Sequence, residues 1–438
     1  MDTAARRREI LGLALPATVA LAADPLLGLV DTALVGRLGT DELAALGVAT
    51  AVFTTAFVVF NVLTYGTTAR VAQLVGARRP DDAATFTVQA IWASLAAGLL
   101  VTTVLVTATG PILDLMGASG GMTEPATTYL RIRAFAAVPV LLVQVGHGAL
   151  RGLKDTRTPL VVTVAANVVN AILSVILIHP VGLGVAGAAL GTVIAQSLAA
   201  VTFMVIVRRR LPAPSLRPVP SQLATLARIS RDLFVRTVSL VVGLAVLTAA
   251  AARIDTVAVA GHQVARELWL LSTLMLDGFA IAGQAMVGTA LGEGDRERAR
   301  ADAWSLTRWG LGAGMVAMLV YLPLGDVLPG VFTTDPAVIE TVGSVWLLVA
   351  FLQPIGGVTF VLDGVFMGAG DFTFLMGSTV TAVVVGLLPV IALALSRGWG
   401  LPGLWWSVVA LMVIRVGAQL WRLRGVAWTE VAEGQATS

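Results

Sequence analysis

The feature that most constrains this sequence is a row of long apolar stretches. Twelve can be read, at approximately 10–36, 43–75, 86–110, 125–150, 158–178, 184–207, 229–252, 257–291, 303–325, 337–368, 373–395 and 401–422. Each reaches the roughly 20 mostly apolar residues that a helix needs to cross a hydrocarbon core. Strand-like alternation is missing, and the runs are too long for barrel strands, so the expected fold is an all-α polytopic membrane protein. Charge agrees with this reading. Only 13% of the 438 residues are charged, against about 25% in soluble domains, which argues against a soluble enzyme, a disordered scaffold or a nucleic-acid module. The first stretch is too long for a cleavable signal, and no polar mature domain follows it. Cysteine is absent, which excludes disulfides, thiolate metal sites and cysteine nucleophiles.

The basic residues suggest an orientation. With the N-terminus inside, 19 of the 29 fall in cytoplasmic segments, among them Arg6–Arg8, Arg151, Lys154 and Arg208–Arg210, and only Arg37, Arg253 and Arg397 in external loops. The positive-inside rule then puts both termini in the cytoplasm, and the plasma membrane is the expected location. The net charge of +3 thus reports topology, and no nucleic-acid partner is expected.

The chain also matches itself. At a shift of 216 residues, VGRLGTDELAALG (35–47) falls on AARIDTVAVAGHQ (251–263), and QLVGARRPDDAA (73–84) on TALGEGDRERAR (289–300). HGALRGLKDTRTPL (147–160) falls on DGVFMGAGDFTFLM (363–376), both with G-x-x-x-G and an Asp three residues on, and VGLGVAGAALG (181–191) falls on RGWGLPGLWWS (397–407). One recurring offset indicates a duplication. Six spans per copy is an even number, so the repeats are parallel. The expected organisation is an N-terminal lobe of six spans (1–207), a cytoplasmic Pro/Arg-rich linker (208–228), a C-terminal lobe of six spans (229–424) and a cytoplasmic tail (425–438). Two lobes joined in this way suit alternating access.

Several blocks carry a family likeness. LALPATVALAADPLLGLVDTALVGRLG (13–39), GALRGLKDTRTP (148–159) and GVAGAALGTVIAQ (184–196) resemble the multidrug and toxic compound extrusion (MATE) transporters. RDLFVRTVSL (231–240), LDGFAIAGQAMVGTALG (276–292) and LDGVFMGAGD (362–371) resemble its DinF-like branch. The resemblance covers about 10–425. It implies twelve helices in two pseudo-symmetric lobes and cation-driven export of small organic, often cationic compounds, by a protein that is not an enzyme. No cofactor is expected beyond the coupling ion, and a monomer in contact with membrane lipid is the expected state.

A charged side chain mid-helix costs about 2.5–3.5 kcal/mol on insertion scales, so the few buried acids stand out. Asp31 lies in the first span, about 7.5 Å along the helix from Gly36. Asn170 in the fifth span and Thr192 in the sixth fall at a similar depth, so the three can line one pocket. A buried Asp that exists in both protonation states can carry a proton, and the resemblance gives this coupling role to Asp31, with Asn170 in support. Some relatives carry a second acid four residues after that Asn, where this chain has Ser174. Sodium-type relatives carry a seventh-span glutamate, yet no acid lies between Asp232 and Asp255. Coupling to H+ is therefore favoured over a Na+ site at Asp31 and Asn170 completed by Thr192 and backbone carbonyls.

Asp277, Asp363, Asn61, His147, Gln144 and Asp24 are candidates for a substrate cavity, and Arg70 and Arg236 (with Arg415) for counter-charges. Under the 216 shift, Asp277 falls on Asn61 and Asp363 on His147. Structural readings stand beside these: Asp277 paired with Arg236 or Arg266, Asp363 anchoring a helix end, His147 a satisfied interhelical histidine, Asp24 shaping a kink with Pro25. No P-loop, G-x-S-x-G or H-E-x-x-H motif is present. The rival reading is a flippase for a lipid-linked substrate, but phosphate headgroups call for a basic cavity. Asp24, Asp31, Asp277 and Asp363 instead balance the intramembrane arginines.

Overall fold

A chain crossing hydrocarbon must satisfy its backbone polar groups internally, and a helix does so within each span. The computed structural model describes residues 3–436 except 59, 213, 214 and 326, with side chains other than those of 3, 24, 26, 27, 58 and 432–436. The described residues form helices and turns, with no strand.

In chain order the helices are α1 (Thr3–Val35), α2 (Thr40–Val58), α3 (Asn61–Gly76), α4 (Pro80–Thr107), the short α5 (Thr109–Leu115), α6 (Thr123–Ala134), α7 (Ala137–Gly152), α8 (Arg157–Ile178) and α9 (Gly184–Arg210). There follow α10 (Pro220–Ile254), α11 (Thr256–Gly292), α12 (Arg296–Tyr321), the short α13 (Leu328–Phe332), α14 (Pro336–Ala369), α15 (Phe372–Thr381), α16 (Leu388–Arg397), α17 (Gly400–Arg424) and α18 (Ala427–Ala436). Eleven spans are long and apolar enough to cross a membrane, and α6 with α7, bent by 48°, makes a twelfth. The all-α, twelve-span expectation is met.

Prolines account for the main irregularities. The bend between α6 and α7 falls just before Pro139. A six-residue π turn, Ala382–Leu387, joins α15 to α16 just before Pro389. Pro16 and Pro25, by contrast, sit in α1 without breaking it. The linker is shorter than the sequence suggests. Arg208–Arg210 continue α9, where cations suit the carbonyl end of a helix, and α10 starts at Pro220, a position that needs no N–H.

Packing divides the chain into two units: residues up to 18 join residues 231 onward, and residues 19–230 form the other. One boundary thus falls inside α1 and the other at residue 230, just past the linker. In the first unit Arg6 Nε donates to Asp302 Oδ1 at 2.7 Å, and a β-carbon on Gly278 would strike Ala14 O and Thr18, so glycine lets the start of α1 lie directly on α11. Its core centres on Trp346, Trp405 and Leu247. The second unit's core centres on Phe86, Leu150 and Phe203.

The duplication is written into the backbone. Left-handed residues occur at Arg78 and Lys154 (φ 57° and 59°), and 216 residues on at Gly294 and Gly370 (77° and 79°); Gly182 and Gly184 are matched in the same way by Gly398 and Gly400. Each of the first four closes a helix with the same pair of bonds, for example Lys154 N to Arg151 O with Asp155 N to Leu150 O, and Gly370 N to Met367 O with Asp371 N to Phe366 O. The repeated G-x-x-x-G works identically in both copies. A β-carbon on Gly148 would meet Thr64 O of α3, and one on Gly364 would meet Ala280 O of α11, the equivalent atom.

Candidate coupling sites

In the unit of residues 19–230, α1 and α8 bring together residues 139 positions apart. Asn170 Nδ2 donates to Asp31 Oδ2 and Ser174 Oγ to Asp31 Oδ1, both at 3.4 Å. Asn170 and Ser174 are one turn apart on α8 and fully buried, while Asp31 is half-buried. Gly191 makes room for this arrangement: a β-carbon there would press on Ser174 Oγ and Asn170 Oδ1. Asn170 Oδ1 is buried with no hydrogen-bond partner among the described residues. Thr192, on the adjoining turn of α9, turns its hydroxyl back to Ala188 O and does not bond Asp31. Arg133 of α6 is the cation acting on Asp31, its guanidinium 4.1 Å from the Phe53 ring and bonded to Tyr129. In the sequence, Ser174 stands only as a position where some relatives carry an acid, and Arg133 and Tyr129 give no signal of their approach to Asp31. Ser174 shares a helix face with Asn170, four residues away, and that spacing was the available signal.

The other polar residues of this unit hold helices together. Gln144 Nε2 donates to Asn61 Oδ1 at 2.8 Å, and Thr64 Oγ1 donates to Gln144 Oε1 at 2.7 Å, so Asn61 and Gln144 clasp α3 to α7. His147 is 3.2 Å from Arg151 Nη2 through Nδ1 and 3.2 Å from Thr163 Oγ1 through Nε2, with the Phe203 ring at 4.8 Å. Arginine can only donate, so His147 Nδ1 is the acceptor and Nε2 carries the hydrogen. A small cavity of about 100 Å³ adjoins it, lined by Gln144, Asn167 and Gln196 among others. Arg70 is half-buried on α3, with Arg79 and Asp82 as charged neighbours.

In the unit built on residues 231 onward, Asp363 of α14 is 4% exposed and fully engaged. Arg236 Nη2 (α10) and Arg415 Nη2 (α17) both donate to Oδ2, at 2.5 and 2.7 Å, and Gln419 Nε2 donates to Oδ1 at 2.7 Å. This gives Arg236 its partner. Asp363, expected at a substrate cavity, ties α14 to α10 and α17 through these three bonds. Asp277 lies half-buried on α11 beside Gly278. Asp24 lies outside the described side chains. Asp371, in the turn after α14, meets Arg422 Nε at 2.9 Å, and burial pushes its carboxyl above the ordinary range against that pull.

Two parallel six-span repeats, one with a loosely held intramembrane carboxylate, define a polytopic membrane transporter. The MatE family model matches twice, over residues 16–176 and 233–391, so the two matches start at nearly the offset found within the sequence. The chain belongs to the MATE family of transporters. It is 35% identical over 428 residues to "Protein DETOXIFICATION 44, chloroplastic" of Arabidopsis thaliana, covering 95% of this chain and 82% of the relative. It is 30% identical over 427 residues to "DNA damage-inducible protein F" of Escherichia coli (strain K12), covering 94% and 91%. Among solved structures, "Crystal structure of MATE in the bent conformation" matches with a TM-score of 0.89 at 22% identity, over 98% of this chain and 97% of that one.

Proposed function

We propose that the chain is a proton-coupled antiporter, exporting small amphipathic and cationic organic compounds by alternating access of its two six-span repeats, with Asp31 as the proton carrier. The observation that carries this reading is the state of Asp31. It is an intramembrane carboxylate, half-exposed and held by two 3.4 Å hydrogen bonds, with no guanidinium clamped on it among the described residues. Such a group can gain and lose a proton without dismantling its surroundings. The Asn170 amide, whose Nδ2 donates to Asp31 and whose Oδ1 has no partner among the described residues, and the Ser174 hydroxyl can bond either form. Na+ is the second reading, favoured by that same Asn170 oxygen beside the carboxylate, since hard cations take oxygen ligands.

In this proposal the protein acts as a monomer in the plasma membrane with both termini in the cytoplasm, as the distribution of arginines supports. Proteoliposomes provide the test. Efflux of a lipophilic cation is expected under an imposed ΔpH and not under an imposed ΔNa+, and Asp31→Asn is expected to abolish it while inserting normally. Full activity of Asp31→Asn would overturn the reading. Headgroup scrambling by the same vesicles would favour a flippase instead.

A further inference from the structure

The unit of residues 19–230 carries a groove that coupling does not use. It lies between α4 and α9, holds about 730 Å³, and is walled by apolar side chains from Ile91 and Leu95 on one side to Val201 and Met204 on the other. Arg208 and Arg209, both exposed, stand at its mouth, and the described lining includes no acid. From Arg208 the groove follows α9 to Val201, about 10 Å at 1.5 Å per residue.

Pro212 and Leu216 of the linker line the mouth as well. The linker is pinned there: Trp92 Nε1 donates to Leu216 O at 3.0 Å, Gln89 Nε2 donates to Arg217 O at 3.2 Å, and Val219 N donates to Gln89 Oε1 at 3.0 Å. Pro212 and Leu216 thus form one edge of the groove. On the opposite flank of α9 lies a second apolar groove of about 520 Å³, again with an arginine, Arg157, among its lining.

We infer that the α4–α9 groove is a binding site for an anionic phospholipid, one acyl chain in the groove and the phosphate on Arg208 and Arg209. An apolar slot within spanning helices has no use for water, and two free guanidiniums at its mouth match a phosphodiester in charge and hydrogen-bonding geometry. Arg210 is not counted in the site because it faces Asp155 at 3.5 Å.

The test uses the full chain purified in detergent with equal amounts of phosphatidylglycerol and phosphatidylcholine, the bound lipid being counted by native mass spectrometry. Wild type is expected to retain phosphatidylglycerol over phosphatidylcholine by about thirtyfold, the scale of two arginines near an anionic surface. Arg208→Gln with Arg209→Gln is expected to bring the ratio close to one, with unchanged Tm in lipid-free detergent. Val201→Trp, at a position 63% exposed, is expected to fill the slot and lose both lipids. Equal retention by wild type, or a preference that survives the double substitution, would overturn the site. So would displacement of the lipid by inorganic phosphate alone, which would mean a headgroup contact without a groove, or by tetraphenylphosphonium, which would make the slot a cargo site.

Discussion

Asp31 and Asp363 are both intramembrane carboxylates, one in each packing unit, and they are held in opposite ways. Asp31 has two neutral donors at 3.4 Å and a distant arginine. Asp363 has two guanidiniums and an amide within 2.7 Å. Shifting each site by 216 residues explains how this arose. Asp31, Asn170, Ser174 and Thr192 correspond to Leu247, Gly386, Val390 and Val408, an apolar set. Asp363, Arg236, Arg415 and Gln419 correspond to His147, Ala20, Ala199 and Phe203, of which Phe203 packs its ring against His147. The two copies kept one backbone and divided the chemistry. A carboxylate was left loosely held in one, and a carboxylate was clamped by two guanidiniums in the other.

The sharpest way to break this comparison is to neutralise each acid in turn. Asp31→Asn is expected to abolish ΔpH-driven efflux while leaving Tm in detergent nearly unchanged. Asp363→Ala is expected to do the reverse first: it leaves two buried guanidiniums uncompensated, a loss of about 3–5 kcal/mol read as a large fall in Tm and in folded yield. A Tm for Asp363→Ala equal to wild type would remove the structural role argued for it. A smaller effect is expected at the repeated turns. A left-handed non-glycine residue carries about 1–2 kcal/mol of strain, so Lys154→Gly should raise stability by about 0.5–1 kcal/mol and Gly370→Lys should lower it by about 1 kcal/mol. Effects of the same sign at the two positions would mean that the turns are not equivalent.

The smallest effect concerns Asp371. Burial raises its folded value, so the folded chain binds that proton more tightly than the unfolded chain does. Its contribution to stability is then fully present below the ordinary carboxylate value near 3.8 and fades as pH rises through the folded value. Relative to Asp371→Asn, wild type should therefore gain Tm at pH 4.5 over pH 7; the opposite trend would show that Arg422 outweighs burial.

The spans, the repeat and the prominence of Asp31 were legible because a bilayer makes charge costly and sparse, so each surviving acid is conspicuous. The pairing of Asp31 with Asn170 followed from counting residues along two helices. What was not legible depended on which helix faces meet. Nothing in the sequence pattern brings Arg236 and Arg415 to Asp363 or Asn61 to Gln144, because those contacts depend on which faces of α10, α17, α3 and α7 meet. Ser174 was visible only as a missing acid, since a hydroxyl gives no charge signal. The extent of the linker was misjudged because arginines extend a helix end and a proline can begin one.

The left-handed turns have a consequence for biogenesis. Ribosomes deliver the first copy before the second, so the choice of which face enters the membrane falls on the first copy's connections. Those connections hold Arg78 and Lys154 where the second copy has Gly294 and Gly370. Under the orientation proposed above, the early repeat accepts backbone strain at two turns to place positive charge on the cytoplasmic side during insertion. The later repeat, entering an arrangement already set, can use the residue that suits the turn. Lys154→Gly would then relax the finished fold while weakening the signal that threads it correctly.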